Sequence, residues 1–307
     1  MTFIAKIPAS RLVVIRGAGD IATGIAYRLF RSGFSIVMTE LAQPTVVRRT
    51  VAFAQAIYDG RAEVEGITAV RVGLPEVAAT LHRRQIPVLV DPDRSSIAAL
   101  GPRIVVDAII AKKNTGTLRS HAPVVIGVGP GFIPGRDVHA VIETMRGHNL
   151  GRVLTDRPAL PNTGIPGNIG GYTAERVLRA GADGIFQGVQ TIGEQVNAGD
   201  IVGYVNGQPV FAPIAGTLRG LLHNGLQVFT RMKIGDIDPR CCREHCFTIS
   251  DKALAIAGGV LEAILLFDQG INRYCSCQQR RFKKHSIYRQ ATKKRLKIYG
   301  KGKCSWL

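Results

Sequence analysis

The feature that most constrains the fold is an apolar run, a glycine turn and a helix-like stretch near the start of the sequence. The run is Val13-Val14-Ile15-Arg16, and the turn after it has the spacing G-x-G-x-x-A at residues 17–22. A second apolar run at 34–39 ends in Glu40, about twenty residues after the glycines. A strand, a tight turn and a helix in this order predict the first βαβ unit of an open α/β sheet.

Each residue of the turn has a predicted role. Gly17 permits the sharp change of direction, Gly19 lets the backbone approach a pyrophosphate, and Ala22 lets the helix pack on the strand. Asp20 opens the helix, whose N-terminus attracts negative charge, and Glu40 would accept hydrogen bonds from a ribose. The pattern predicts a dinucleotide site at these residues. The alternative is an α/β fold that keeps the turn and binds no nucleotide.

The rest of the first half alternates strand-like and helix-like stretches. Apolar runs follow at 67–72, 86–90, 104–110 and 124–128, with helix patterns at 45–58 and 74–84. This alternation predicts a Rossmann-like, doubly wound parallel sheet over residues 1–150. Ligands of such sheets bind at the carboxyl ends of the strands. The residues expected there are Glu40, Asp91, Asp107 and Gly129-Pro130-Gly131.

The second half begins with a glycine-rich connecting segment, residues 151–182, that includes a helix pattern at 173–180. Residues 183–240 contain an internal repeat at a shift of 32, in which Gly184, Gly188 and Gly193 align with later glycines. Two β halves joined by an Asn206-Gly207 hairpin resemble the barrel-sandwich fold of biotinyl and lipoyl domains. The hairpin has no lysine at its tip, so we predict a rigid β module and not a carrier arm.

A last helix pattern covers residues 241–266, where Ser250 is placed to cap a helix that packs back on the core. Beyond it, residues 267–307 form a basic tail of different composition. We predict a disordered extension or the product of a shifted reading frame. The alternative is a basic arm for an anionic surface.

The net charge of +18 is concentrated in this tail. Residues 268–307 hold twelve Lys and Arg and one acidic residue, whereas the other 267 residues hold 28 basic and 21 acidic residues. The mildly basic body argues against a nucleic-acid-binding protein.

The apolar runs are strand-sized and the first ten residues do not resemble a signal peptide, so we expect a cytoplasmic protein without a membrane segment.

All six cysteines lie in the last 67 residues, which argues against a secreted disulfide framework and fits a reducing compartment. The cluster Cys241-Cys242-Arg-Glu-His245-Cys246 has adjacent cysteines, which chelate one tetrahedral ion poorly. No second C-x-x-C pair completes a site, so no metal site is predicted.

Two further segments contain candidate functional residues. Lys112 and Lys113 follow the strand that ends near Asp107 and suit an anionic ligand, although a solvated basic loop explains them equally well. His139, Glu143 and Arg146 are spaced to share one face of a predicted short helix over 137–145.

The candidate catalytic residues are His139, Glu143 and His148. Side chains of these types can transfer protons or bind a polar cofactor. The alternative for these side chains is an exposed ion-paired face.

In the glycine-rich segment, Gly167, Gly170 and Gly171 leave backbone amides free to face an anion. A linker that wraps between domains is the competing explanation.

The longer sequence blocks resemble the YqeB family, and the likeness runs from about residue 11 to 266. The blocks are GAGDIATGIAYRL, VDAIIAKKN, GVGPGF, DVHAVIETMRGHNLGRV, PNTGIPGNIGGYTAERVLRA and ISDKALAIAGGVLEAIL. The resemblance implies an accessory protein of a selenium-dependent molybdenum hydroxylase, concerned with its selenium or its molybdopterin cofactor. The N-terminal unit is also similar to the Rossmann domain of XdhC-type maturation factors of molybdenum hydroxylases.

These observations predict a maturation protein that binds a nucleotide-like or molybdopterin-type anionic cofactor, with the hydroxylase as its partner. The cofactor would be NAD(P) or a molybdopterin-type compound, and a homo-oligomer is left open. One alternative is an NAD(P)-dependent oxidoreductase, which needs a proton donor such as His139 or His148. A second is a docking protein of the hydroxylase without catalytic activity.

Overall fold

The computed structural model describes residues 11–268, so the predicted tail at 267–307 lies outside the described residues from residue 269 onward. Its first part alternates strands and helices in the predicted way. The elements are β1 (Leu12–Arg16), α1 (Asp20–Arg31), β2 (Ser35–Glu40), α2 (Ala56–Asp59), β3 (Arg61–Val64), β4 (Ile67–Arg71), α3 (Val77–His82), β5 (Ile86–Val90), α4 (Ser95–Leu100), β6 (Ile104–Asp107), β7 (Val124–Val128), β8 (Ala140–Ile142) and β9 (Val153–Leu154).

The nine strands form one sheet in the order β3-β4-β5-β2-β1-β6-β7-β8-β9. All neighbouring pairs are parallel except β3–β4 and β8–β9 at the two edges. The central strands β1, β6 and β7 are buried along their whole length, as expected for apolar runs in a parallel sheet covered on both faces. The predicted α/β class with a mostly parallel sheet is therefore confirmed. The strand order reverses between β1 and β6, which places a topological switch point there.

The predicted helix at 45–58 is wrong. The structure has 3₁₀ turns at Arg49–Val51 and Phe53–Gln55 and only the short α2. The backbone here makes tertiary hydrogen bonds instead of helical ones. The Phe53 amide donates to Thr23 Oγ1 at 2.9 Å, and the Leu221 amide donates to the Val47 carbonyl at 2.8 Å. The segment follows β2 and bonds to a strand that is distant in the sequence. These tertiary hydrogen bonds override the helix that its apolar periodicity predicts.

Two other predicted helices are strands. Residues 137–145 contain β8, which extends the sheet beside β7, and the His139 amide donates to the Val125 carbonyl at 2.7 Å. Residues 173–180 contain β10 (Val177–Arg179), which pairs with a strand more than fifty residues later. In both places the apolar run is short enough to form a helix or a strand. Pairing with a neighbouring strand selects the strand.

The second part of the chain contains two four-stranded antiparallel sheets. Its elements are β10, β11 (Gly184–Gly188), β12 (Gln195–Val196), β13 (Ile201–Val205), β14 (Gln208–Phe211), β15 (Gly216–Leu221), β16 (Gln227–Val228), β17 (Lys233–Asp238), a 3₁₀ turn at Arg243–Cys246 and α5 (Asp251–Phe267). The sheet orders are β10-β17-β15-β12 and β14-β13-β11-β16.

The internal repeat relates these two sheets. A shift of 32 carries β10, β11, β12 and β13 onto β14, β15, β16 and β17, and it converts one sheet order into the other. Each sheet therefore takes two strands from each half, so the halves are interlocked. Gly184 and Gly216 have φ of +152° and +156°, and a Cβ at either would lie 2.6 Å from Asn206 or Asp238, which are also 32 apart. The repeat thus preserves even the close contacts.

Helix α5 packs back on the α/β part, as predicted. The Ala253 amide donates to the Ser250 hydroxyl at 3.2 Å, which confirms Ser250 as the N-terminal cap. A Cβ at Gly24 on α1 would lie 2.7 Å from Ala253 Cβ, and a Cβ at Gly259 would lie 2.0 Å from the Gly151 carbonyl oxygen. Glycine at these positions lets α5 approach both α1 and the loop after β8.

No helix among residues 11–268 is long and apolar enough to cross a membrane.

We predict that Gly259→Ala destabilises the protein by more than about 2 kcal/mol, because the added methyl group meets a backbone carbonyl that cannot move away cheaply. Gly258→Ala is the matched control. Its methyl group meets only the end of the Arg28 side chain, so the gain in helix propensity is expected to leave stability equal or higher. Urea unfolding of the three proteins measures the difference, and equal losses in both variants would contradict the close packing of α5.

Candidate functional site

A cleft of about 530 Å³ lies at the sheet's switch point. The ends of β1, β2 and β6 and the start of α1 form its walls. The lining includes four of the predicted turn residues and Glu40, namely Gly17, Gly19, Asp20, Ala22 and Glu40. We call it the switch-point cleft. The structure thus brings together the residues that the fingerprint singled out, at the place where open α/β sheets bind ligands.

The two glycines of the turn differ in what the fold requires of them. Gly17 has φ +91°, and a Cβ there would lie 3.1 Å from the Ala108 carbonyl oxygen and from Ile109 Cα. Gly19 has φ −67°, and a Cβ there would meet only Val46, at 3.6 Å. The fold itself therefore requires glycine at 17 but tolerates a side chain at 19. Glycine at 19 keeps the face of the helix N-terminus open toward the cleft.

The first turn of α1 lines the cleft, and the first amides of a helix have no acceptor within it. Asp20 lies beside them, and its Oδ1 accepts a hydrogen bond from the Ile21 amide at 2.8 Å. Its Oδ2 accepts from Arg48 Nη1 at 3.2 Å. The Arg48 guanidinium offsets the charge of Asp20, so the helix N-terminus keeps its attraction for an anion.

Glu40 closes the other end of the cleft. Its Oε1 accepts from the Ala18 amide at 3.1 Å and its Oε2 from the Leu41 amide at 2.7 Å. Burial raises the pKa of Glu40, while these two hydrogen bonds partly oppose the rise. A carboxylate fixed by two backbone donors keeps further lone pairs for a ligand hydroxyl.

The floor of the cleft holds a buried ion pair. Arg16 Nη1 at the end of β1 lies 2.7 Å from Asp107 Oδ2 at the end of β6, and the Thr117 hydroxyl bonds to both side chains. Asp107 was expected at the ligand edge. Its carboxylate is instead committed to Arg16 and Thr117, so it positions neighbouring groups and is not free for a ligand.

A second cleft of about 360 Å³ adjoins the first and shares Asp20, Ile21, Arg48, Ile110 and Lys233 with it. Strand β17, the start of α5 and the segment 160–169 complete its walls. Its lining has two carboxylates, Asp20 and Asp236, and seven cationic side chains, which are Arg48, Lys112, Arg146, Arg176, Arg219, Lys233 and Lys252. We call it the basic cleft.

Buried ion pairs position several of these cations. Arg176 Nη1 lies 2.5 Å from Asp236 Oδ1, and Arg219 Nη1 lies 3.2 Å from Asp238 Oδ2. Arg146 makes two hydrogen bonds to Asp251, of 2.9 and 3.1 Å. The buried pairs hold the guanidinium groups of Arg176 and Arg219 in place before any ligand arrives, whereas the Arg146–Asp251 pair is exposed.

The two lysines predicted for anion binding separate in the structure. Lys112 lines the basic cleft, and its Nζ lies 3.3 Å from the side-chain oxygen of Asn162 in the orientation that satisfies that amide. Lys113 is exposed and lines neither cleft. The loop that leads from β6 to these two lysines turns sharply, with φ of +59° at Ile110 and +63° at Lys112.

The candidate catalytic residues do not form a site. With β8 in place of the predicted helix, His139, Glu143 and Arg146 do not share a helical face. His139 Nδ1 accepts from the Val125 amide at 3.0 Å, and burial lowers the pKa of this imidazole. Glu143 is buried and accepts from three backbone amides, those of Thr144, Met145 and Leu160.

His148 is exposed, and neither histidine lines the two clefts. Glu143 thus organises a loop and His139 supports β7, so the expected proton-transfer group is not assembled.

The glycine-rich segment faces the basic cleft in part. Gly167 lines it, and its carbonyl accepts from Arg176 Nη2 at 3.1 Å. Gly170 lines a smaller adjoining pocket with Arg240, and the Gly171 amide donates to Asn168 Oδ1 at 3.1 Å. The predicted helix start at Thr173 is absent, so this segment supplies a carbonyl to an arginine and not a nest of amides to an anion.

Among the described residues, no group of three or more His, Cys, Asp or Glu side chains is placed to hold a metal ion. Cys241 and Cys242 are free thiols at or near the surface, and Cys246 is buried, where burial raises the pKa of its thiol.

Sequence reasoning missed most of the basic cleft. Arg48, Arg176, Arg219, Lys233 and Lys252 come from five separate segments, so no spacing rule connects them. Two signals were present. Arg219 interrupts an otherwise apolar or small strand, and Lys252 places a cation in the first turn of a helix, against the preference of the helix dipole.

Comparison with known proteins supplies one close relative. No family model matches the sequence. Solved structures match weakly, such as a succinylglutamate desuccinylase from Silicibacter sp. TM1040 (11% identity, 74% of this chain, 84% of that chain, TM-score 0.23). An aspartoacylase family protein from Mesorhizobium loti gives 10% identity over 74% of this chain and 84% of that chain, with a TM-score of 0.25. TM-scores of this size establish no shared fold.

By contrast, the uncharacterized protein YqeB of Escherichia coli K12 is 51% identical over 263 residues. The alignment covers 85% of this chain and 49% of that protein, so the chain spans about half the length of its relative. The predicted resemblance is confirmed at this level, and the chain is a homologue of Escherichia coli YqeB.

Proposed function

We propose that the protein is an accessory factor that holds a nucleotide-like or molybdopterin-type anionic cofactor in the switch-point cleft during maturation of a selenium-dependent molybdenum hydroxylase. The observation that carries the binding claim is Gly19, which lines the cleft at the helix N-terminus although the fold does not require glycine there. The proposed role in maturation of the hydroxylase is supported by the resemblance to the YqeB family. The repeat supports a barrel-sandwich module as the second part of the molecule.

The residues of the cleft fit a diphosphate-linked nucleotide. Gly19 and the first turn of α1 would receive the phosphates, because unpaired amides and the helix dipole favour negative charge. Glu40 would accept the ribose hydroxyls from a position fixed by the Ala18 and Leu41 amides. Ile21 and Ile109 give the cleft an apolar surface for a base or a pterin.

The geometry favours binding over hydride transfer. The oxidoreductase alternative needs a proton donor near the cofactor, and His139 and His148 lie outside the cleft. The acidic groups in the lining are occupied by other side chains or by backbone amides, as at Asp20 and Glu40. We therefore favour a protein that receives, protects or delivers a cofactor.

We predict that Gly19→Ala lowers the affinity for ADP-ribose about tenfold or more, since the methyl group occupies the space that a phosphate needs. The variant is expected to keep its unfolding free energy within about 1 kcal/mol of the wild type, the usual cost of alanine at a helix cap. Gly181→Ala is the control, because its methyl group meets nothing within 4 Å and lies away from the cleft. Calorimetric titration and urea unfolding measure the two quantities. Undiminished binding would contradict the proposed site.

Glu40→Ala is expected to weaken ADP-ribose binding by about 1.5–3 kcal/mol, the typical worth of a hydrogen bond to a charged group. Glu63→Ala, on the exposed edge strand β3, should bind as the wild type does. Titration of both variants with ADP-ribose tests this. An unchanged affinity in Glu40→Ala would contradict the assignment of a ribose hydroxyl to Glu40.

The affinity for ADP-ribose should also depend on pH. Burial raises the pKa of Glu40 above its usual range, so the carboxylate takes up a proton at a higher pH than an exposed glutamate, for which the pKa is about 4.3. As the pH falls through that raised pKa, the acceptor is neutralised and binding weakens. Glu40→Gln should lose this dependence, and a parallel decline in both proteins would assign it to another group.

A further inference from the structure

We propose that the basic cleft binds a multiply charged oxyanion, a phosphate or diphosphate group, as a second anionic part of the ligand that occupies the switch-point cleft. This inference deepens the proposed function, since it names the chemistry of the rest of that ligand. The two clefts are continuous at Arg48, Asp20 and Lys233, which line both. One ligand can therefore reach from one cleft into the other.

The lining of the basic cleft carries an excess of positive charge. Seven cationic side chains line the basic cleft and only two carboxylates do. Asp238 and Asp251 pair with Arg219 and Arg146 without lining the cleft, and the cations still outnumber the carboxylates when both are counted. Like charges gathered in a partly buried space repel and lose hydration, which costs free energy. A multiply charged anion removes that cost, whereas a single carboxylate does so only in part.

Two arginines that line the basic cleft have nitrogen donors without acceptors. Arg48 and Arg176 are 8% and 7% exposed, and the Nε atom of each is buried without a hydrogen-bond partner in the part of the chain that the structure describes. Carbonyls and carboxylates take the other nitrogens of both side chains. Two buried nitrogens of arginines that line the cleft are therefore left without an acceptor among the described residues.

Lys252 is a further cation of the basic cleft that favours an anion. Its amine has no hydrogen bond or ion pair within residues 11–268, although it lines the cleft in the first turn of α5. Burial lowers the pKa of Lys252 and the nearby Arg146 lowers it further, while the carboxylates of Asp20, Asp251 and Glu143 oppose the shift. The Ser250 cap and the close packing of α5 hold the lysine where it is. An amine without an ion-pair partner, in a lining that it shares with Arg146 and other guanidinium groups, is suited to a phosphate oxygen.

Inorganic pyrophosphate is the probe, titrated by calorimetry into the full chain and its variants. Lys252→Met removes the unpaired amine without breaking an ion pair, so the fold should persist. We expect the wild type to bind pyrophosphate and Lys252→Met to bind it at least tenfold more weakly. Lys112→Met should also weaken pyrophosphate binding. Lys113 lies outside the cleft, so Lys113→Met should bind pyrophosphate as tightly as the wild type does. The arginines are left unchanged because their loss would leave buried carboxylates unpaired.

A parallel titration with ADP-ribose separates the two proposals. If the nucleotide binds and pyrophosphate does not, this inference is overturned while the switch-point cleft stands. If pyrophosphate binds and is weakened by Lys252→Met but no nucleotide binds, the oxyanion site stands and the proposed function fails. Pyrophosphate binding that Gly19→Ala weakens and Lys252→Met does not would place the anion at the glycine turn, which also overturns the inference.

Discussion

Arg48 joins the parts of this molecule on which the site depends. Its Nη1 bonds to Asp20 at the start of α1, and its Nη2 bonds to the carbonyls of His245 and Thr248 before α5, at 3.1 and 3.2 Å. The guanidinium is nearly buried, so removing one of its partners would leave an uncompensated charge at a cost of about 3–5 kcal/mol. One side chain thus fixes the helix N-terminus against the segment before α5, and it lines both clefts.

The α/β sheet, the turn residues and the β repeat could be predicted because each is encoded locally or by self-similarity. The apolar run at 12–16, the spacing from Gly17 to Glu40 and the shift of 32 need no knowledge of distant contacts. The helices predicted at 45–58 and 137–145 failed where the backbone bonds to remote strands. The basic cleft could not be derived, because its cations meet only after the β module has packed against the sheet.

Gly19 differs from the glycines at 17, 24 and 259 in what a side chain at its position would contact. Those at 17, 24 and 259 meet protein atoms so closely that a Cβ would clash, and they are explained by folding alone. Gly19 meets almost nothing, yet it lines the cleft at the switch point. The same distinction applies to charge, since Arg16 and Asp107 satisfy each other whereas Lys252 has no partner among the described residues. The groups that the fold leaves unsatisfied mark the proposed ligand.

The central claim is that the switch-point cleft holds a diphosphate-linked nucleotide. A crystal structure of the protein grown with ADP-ribose tests it most directly. We expect density for the diphosphate at Gly19 and the first turn of α1, with the ribose hydroxyls on Glu40. Density elsewhere on the protein, or an empty cleft at saturating ligand, would contradict it.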